Sequence, residues 1–259
     1  MKRINFVITI LLFILGILCY VFFEIVKMPI VEDPIANHFL NATFSRMGLS
    51  LLFIWLLYIF GGRDYLLFNK NIGMMLLWSL PCFMVAIVNF PWYSTFVSAN
   101  FSIARGDLIG LYILYIVFVA LAEELIFRGV ILVLLKDWFR NVRHAPILIT
   151  VIGAGVFALF HLTNLFIGAG IGDVLLQCAY TFLIGAMLMV TMLKTKNIWI
   201  CVVVHAIFNY GGLIQTEHIG SGEPWDLAFW ILTIVSGVLC AGHIIYTLIK
   251  LDKNYASRS

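Results

Sequence analysis

Long apolar runs separated by short polar breaks dominate the chain. Runs of spanning length lie near residues 4–26, 46–60, 72–90, 108–135, 146–163, 173–193, 198–214 and 226–249. A helix needs about 20 mostly apolar residues to cross a hydrocarbon core roughly 30 Å thick. The pattern therefore predicts about eight transmembrane helices in one integral domain over residues 1–259: an all-α, polytopic membrane helix bundle. The breaks hold residues that interrupt helices: Pro29 and Pro34, Gly61-Gly62, Pro91, His144-Ala145-Pro146, Gly168 to Gly172, and Gly220 to Pro224. The first run follows Met1-Lys2-Arg3 and has no small-x-small site after it. Its length suits a spanning helix better than a signal core of roughly 7–15 residues.

Composition supports a membrane protein throughout. The chain is 63% hydrophobic and only 11% charged, where soluble domains carry about 25% charged residues. Its mean hydropathy is +1.06. The net charge of +3 acquires meaning once mapped onto the loops. With a cytoplasmic N-terminus and alternating helices, twelve basic residues fall inside: Lys2, Arg3, Arg63, Lys70, Lys136, Arg140, Arg143, Lys194, Lys196, Lys250, Lys253 and Arg258. Three fall outside: Lys27, Arg46 and Arg105. This positive-inside bias predicts both termini in the cytoplasm of a multi-pass cell-membrane protein. No basic, aromatic-rich patch suggests a nucleic-acid partner. Cys19, Cys82, Cys178, Cys201 and Cys240 are dispersed through apolar runs without a CxxC pair and read as small apolar filler.

The informative exceptions are polar groups inside the apolar runs. A charged side chain near the bilayer centre costs roughly 2.5–3.5 kcal/mol on insertion scales. Yet the run over 108–135 contains Glu123, Glu124 and Arg128. Glu124 and Arg128 are i,i+4 in the favourable order. Glu123 points about 100° away around the helix, free to occupy a different environment. The fifth run carries Phe157-x-x-x-His161, and the seventh carries His205-x-x-x-Asn209. Counted at about 1.5 Å per residue from the inner loops, Glu123, His161, His205 and Asn209 can meet in one layer. A buried Glu and a His together can deprotonate a water. A second His and an Asn amide can donate to a developing oxyanion. This set of groups fits amide hydrolysis without a covalent intermediate.

The three motifs, in this order and spacing, resemble those of the CAAX protease and bacteriocin-processing family of intramembrane proteases, also called ABI or type II CAAX prenyl endopeptidase-like. The resemblance covers about residues 108–214 and makes that segment the catalytic core, flanked by the N-terminal helices and the last helix at 226–249. It implies Glu123 and His161 as the water-activating pair and His205 and Asn209 as oxyanion donors. Glu124 and Arg128 then support the site, with no metal or other cofactor. Phe127, Phe157, Phe160 and Phe208 are expected as substrate-pocket walls. The family includes prenyl-protein endopeptidases, peptide-processing enzymes and proteins linked to bacteriocin self-immunity. The compact chain favours processing of a membrane-associated peptide, such as a pheromone or bacteriocin precursor, or of a lipidated protein.

Other readings stay open at this level. Glu124 and Arg128 alone also suit a structural ion pair, and His243 reads as an interhelical hydrogen-bond partner. Glu123, His161 and His205 match the ligand types of a zinc site, although no HExxH occurs. Cys201 and His205 are i,i+4 and give a weak cysteine-peptidase pattern. A proton-coupled carrier also uses intramembrane Glu and His, but the chain shows no internal repeat. A non-catalytic immunity protein that binds a membrane peptide is the remaining class.

Overall fold

The computed structural model describes residues 26–67 and 71–256, with a few isolated positions before residue 26. The helix expected over 4–26 therefore lies largely outside the described residues, as do Lys2, Arg3, Lys70 and Arg258. The described chain is almost wholly helical. Four of its helices are long and apolar enough to cross a membrane: Pro34–Ile59, Ala145–Phe166, Ile171–Thr195 and Leu227–Ala256.

Helix α1 (Pro34–Ile59) begins twelve residues before the run expected at 46–60. Pro34 acts as a first-turn residue here, where its missing N–H costs nothing, and not as a break. Asp33 caps the helix, its Oδ1 accepting from the backbone N–H of Ile35 at 3.0 Å and of Ala36 at 2.8 Å. In consequence Arg46, expected in an outer loop, lies within α1 and is buried.

The run at 72–90 is two helices, α2 (Ile72–Trp78) and α3 (Leu80–Val88), which meet at Ser79. Pro81 follows immediately; its ring excludes a continuous hydrogen-bond ladder back to Leu77. A short α4 (Trp92–Phe96) and a strand β1 (Phe101–Ile103) lead to the central rod.

That rod matches the expected run over 108–135 but is not uniform. It comprises α5 (Ile109–Glu124), a π-helical segment (Leu125–Ile131) and α6 (Leu132–Trp138). π-Helical turns are rare and frequently mark functional sites. Here the wide turn starts directly after Glu124 and contains Arg128.

Helix α7 (Ala145–Phe160) tightens into a 3-10 segment (His161–Ile167) that ends at Gly168, whose φ of 91° suits glycine. Then follow α8 (Ile171–Thr195), α9 (Ile198–Leu213), strand β2 (Gly220–Gly222) and α10 (Leu227–Ala256). β1 and β2 form an antiparallel ribbon, Phe101 opposite Gly222 and Ile103 opposite Gly220. The ribbon was not expected, because three-residue strands with two glycines leave no alternating pattern to read.

α1 and the central rod pack side by side along much of their length. Phe39 and Ala42 join Tyr112, Tyr115 and Ile116 in one core cluster, while Phe53 and Leu57 join Leu125, Ile126 and Val130 in the other. Apolar side chains such as Leu183, Trp230, Ile234 and Val238 remain exposed. Uncovered apolar area on this scale fits a lipid solvent better than water.

Candidate active site

The centre of the molecule holds the polar groups singled out by their apolar context. Glu123, Glu124, Arg128 and His205 are all buried, Glu124 and Arg128 completely. Arg128 Nη1 donates to Glu124 Oε1 at 2.8 Å, and its Nη2 donates to the Gly185 carbonyl of α8 at 3.3 Å. The guanidinium also lies over the Phe157 ring, 4.4 Å from its centroid. A desolvated contact of that kind contributes about 2 kcal/mol. The expected i,i+4 pair is present, and it joins the rod to α7 and α8.

His205 projects from α9 between the two carboxylates. Its Nδ1 lies 2.7 Å from Glu124 Oε1. Glu124 already accepts from Arg128, so the imidazole is the donor in this contact. The other nitrogen, Nε2, faces Glu123 Oε2 at 3.7 Å, too long for a direct hydrogen bond. The two neighbouring glutamates are thus separated in role. Glu124 is engaged by Arg128 and His205, whereas no hydrogen bond holds Glu123 among the described residues.

His161 stands at the junction where α7 tightens to the 3-10 segment. Its Nδ1 lies 3.0 Å from the Phe157 carbonyl one turn earlier. A carbonyl only accepts, so Nδ1 carries a proton; in the neutral form of the ring, Nε2 is then the lone pair. No hydrogen bond joins His161 to Glu123 among the described residues. Phe157 instead links the two imidazoles, its ring meeting His161 edge-on at 5.0 Å and His205 edge-on at 5.9 Å.

Asn209 lies one turn beyond His205 on α9 and is half-buried. Tyr112 Oη reaches its backbone carbonyl at 3.5 Å, and its side-chain amide makes no hydrogen bond among the described residues. The four phenylalanines expected as walls separate into two kinds. Phe127 and Phe157 are core residues packed edge to face at 4.9 Å. Phe160, which also packs on Phe127 at 5.5 Å, and Phe208 are half-buried at the margin.

Residues 105–211 match the family described as Type II CAAX prenyl endopeptidase Rce1-like. The match spans 107 of the chain's 259 residues and includes Glu123, Glu124, Arg128, His161, His205 and Asn209. The resemblance drawn from the three motifs therefore stands. Taken with the long apolar helices, it makes the chain a multi-pass membrane protein carrying the signature of a CAAX-type protease. No curated protein and no solved structure matches it.

The Rce1-like segment ends close to a contact that sequence reading missed. Asn89 Nδ2 donates to the Phe208 carbonyl at 2.7 Å, and the Asn89–Phe90 backbone lies so close to Gly211 that a Cβ there would meet it at 2.6 Å. Gly185 was missed as well. A Cβ on it would stand 3.0 Å from the Phe157 ring and 3.3 Å from the Ala154 backbone. Both glycines sit in apolar helices, and an adjacent small residue, Ala186 or Gly212, is the only local hint of close packing. Within the described residues, no three His, Cys, Asp or Glu side chains converge as metal ligands.

Proposed function

We propose that this protein is an intramembrane endopeptidase of the glutamate type, which hydrolyses a peptide bond in a membrane-associated peptide or lipidated protein. The observation that carries this reading is the unequal treatment of Glu123 and Glu124. Glu124 is bonded to Arg128 and His205, while Glu123 faces the same imidazole across 3.7 Å with no hydrogen bond of its own among the described residues. A carboxylate kept in apolar surroundings and left unbonded is available as a base.

In this mechanism Glu123, aided by the Nε2 lone pair of His161, takes a proton from water as the oxygen attacks the scissile carbonyl. The carbonyl oxygen becomes an oxyanion. His205, when protonated on both nitrogens, donates from Nδ1 to Glu124 and from Nε2 to that oxyanion. The half-buried Asn209 amide is the second donor. Removing one such donor typically lowers kcat by about 10²–10³. Collapse of the tetrahedral intermediate returns the proton from Glu123 to the leaving amine. Peptide precursors such as pheromones or bacteriocins are the favoured substrates, because the chain is compact. The distribution of Lys and Arg along the sequence supports a cytoplasmic position for both termini.

The test is cleavage of a panel of precursor and prenylated peptides by purified protein in lipid nanodiscs. Wild type, Glu123→Ala and His205→Ala run side by side, with and without a strong chelator. Cleavage by wild type that survives chelation and is lost in both variants is the expected outcome. Loss on chelation with recovery on adding zinc would replace the mechanism with a metallopeptidase. Peptide binding without cleavage in all three proteins would point to an immunity or binding role.

A further inference from the structure

The turn of α9 that carries Asn209 is gripped from two sides. On one side Asn89, at the end of α3, donates from Nδ2 to the Phe208 carbonyl at 2.7 Å. On the other, the Tyr112 hydroxyl of α5 donates to the Tyr210 carbonyl at 2.8 Å and stands 3.5 Å from that of Asn209. The Phe208 carbonyl belongs to the planar peptide unit just before the Asn209 Cα, and the Asn209 carbonyl to the unit just after it. Side chains from two other elements therefore reach the backbone on both flanks of one residue. A carbonyl oxygen has two lone pairs, so each can take a side-chain donor without leaving the helix ladder.

The local sequence is shaped for this grip. A Cβ at Gly211 would meet the Asn89 carbonyl oxygen and the Phe90 nitrogen at 2.6 Å, and one at Gly212 would meet Asn89 Nδ2 at 2.6 Å. Two bare helix positions thus admit the Asn89–Phe90 segment. Phe90 then stacks on Tyr210 with ring centroids 6.1 Å apart, and Tyr112 packs on the same ring at 5.5 Å. Tyr112 is fully buried. It lies eleven residues before Glu123 on α5, about three turns, so the two share a face. That face meets α9 twice, at Tyr210 through Tyr112 and at His205 through Glu123. The Asn209 amide itself makes no hydrogen bond among the described residues. With no side-chain partner to aim it, its place is set by the backbone that carries it.

Resting on the proposed peptidase, we infer that Asn89 and Tyr112 are positioning residues: together they fix the backbone of Asn209, so that its amide stands ready as the second oxyanion donor. Donors held in place before the reaction need no reorganisation as charge develops. A misplacement of about 1 Å can cost about 10²-fold in rate. Tyr112 also ties this donor to the helix that bears Glu123, so base and donor keep one spacing. Neither residue touches the peptide; both act through Asn209.

The test is a double-mutant cycle on turnover, with protein in nanodiscs and the same panel of precursor and prenylated peptides. Tyr112→Phe keeps the ring and removes only the oxygen. Asn89→Leu keeps the bulk and removes the donor. Each is made alone and together with Asn209→Ala, which by itself is expected to lower kcat by about 10²–10³. Alone, each positioning variant is expected to lower kcat by about 10- to 100-fold, with KM within about twofold. Combined with Asn209→Ala, neither lowers kcat further, because the residue through which it acts is gone. A general loosening of the bundle would instead multiply with the Asn209→Ala loss. Multiplied losses, an unchanged kcat in the single variants, or a change confined to KM overturns the inference. If Asn89→Leu does not fold, Tyr112→Phe decides alone. Wild type that cuts no peptide of the panel sinks the peptidase reading and this inference with it. Cutting by wild type with multiplied losses sinks the inference and leaves the peptidase standing.

Discussion

At the residue scale the site is a set of four buried polar side chains with unequal obligations. Glu124 and Arg128 answer to each other and cannot be changed singly without leaving an uncompensated buried charge. Breaking such a pair by removing one partner costs about 3–5 kcal/mol. Arg128→Met and Glu124→Ala are therefore expected to lower the melting temperature sharply and to yield little folded protein in detergent. Glu123→Gln should behave differently, since no hydrogen bond of Glu123 is lost. It is expected to melt close to wild type while losing a factor of about 10²–10⁴ in turnover. A thermal-shift assay run beside the cleavage assay separates the two classes. If Glu123→Gln unfolds as readily as Glu124→Ala, the division of labour between the carboxylates is wrong. The identity of these residues was legible in the sequence because charge in an apolar run is costly enough to demand a reason. The contact between His205 and Glu124 was not legible, because it joins residues 81 positions apart. Nor was the role of Phe157 between two imidazoles, since an aromatic in an apolar helix is ordinary packing.

At the scale of elements, periodicity and length located some of the rods closely. The observed ends of α8 and α9 fall within two residues of the expected 173–193 and 198–214. The differences arise where local backbone chemistry overrides hydropathy. Asp33 and Pro34 start α1 early, Pro81 divides the third run, and the rod under the motif widens into a π-helical turn. α10 continues to Ala256, past the expected end at 249, because its last two turns bear charged residues that an apolar search stops at. Two glycines set how closely these rods approach. At Gly211 a methyl group meets the backbone of Asn89 and Phe90 at 2.6 Å, and backbone cannot yield as a side chain does. Gly211→Ala is expected to destabilise by about 1–3 kcal/mol and to reduce turnover by displacing the end of α9 that carries Asn209. Gly110→Ala, where nothing lies within 4 Å of the added carbon, is the matched control, and unfolding by heat compares the two.

At the scale of the whole molecule, the end of the bundle that carries the ribbon is held by charge. Arg105 Nη2 bridges Asp33 at 2.8 Å and Asp107 at 2.9 Å, joining the start of α1 to the approach to α5. The Asp33 carboxyl is held below its ordinary value of 3.8, first by the backbone N–H of Ala36 and then by Arg105. Asp107 is lowered chiefly by its hydrogen bond to Arg105. Because both folded values lie below the unfolded ones, their stabilisation is fully present above pH 3.8 and fades as pH falls through the lowered values. Wild type should lose melting temperature on acidification below that point, and Arg105→Gln should show a shallower loss over the same window. An equal slope in the two proteins would remove this network from the account. On the same side of the molecule Tyr115 Oη donates to Glu217 Oε1 at 3.0 Å, and His38 Nε2 approaches Glu217 Oε2 at 3.3 Å. The segment after α9 is thereby tied to both α1 and α5.

The distance along the chain between Glu124 and His205 bears on how the protein is made. At synthesis rates of about 5–20 residues per second, the 81 positions between them take about 4–16 s to emerge. Throughout that interval the nascent rod holds a carboxylate whose second partner does not yet exist. Arg128, one turn away on the same rod, is already there. The pair that braces the finished site joins residues one turn apart on one rod, so it needs no part of the chain made later.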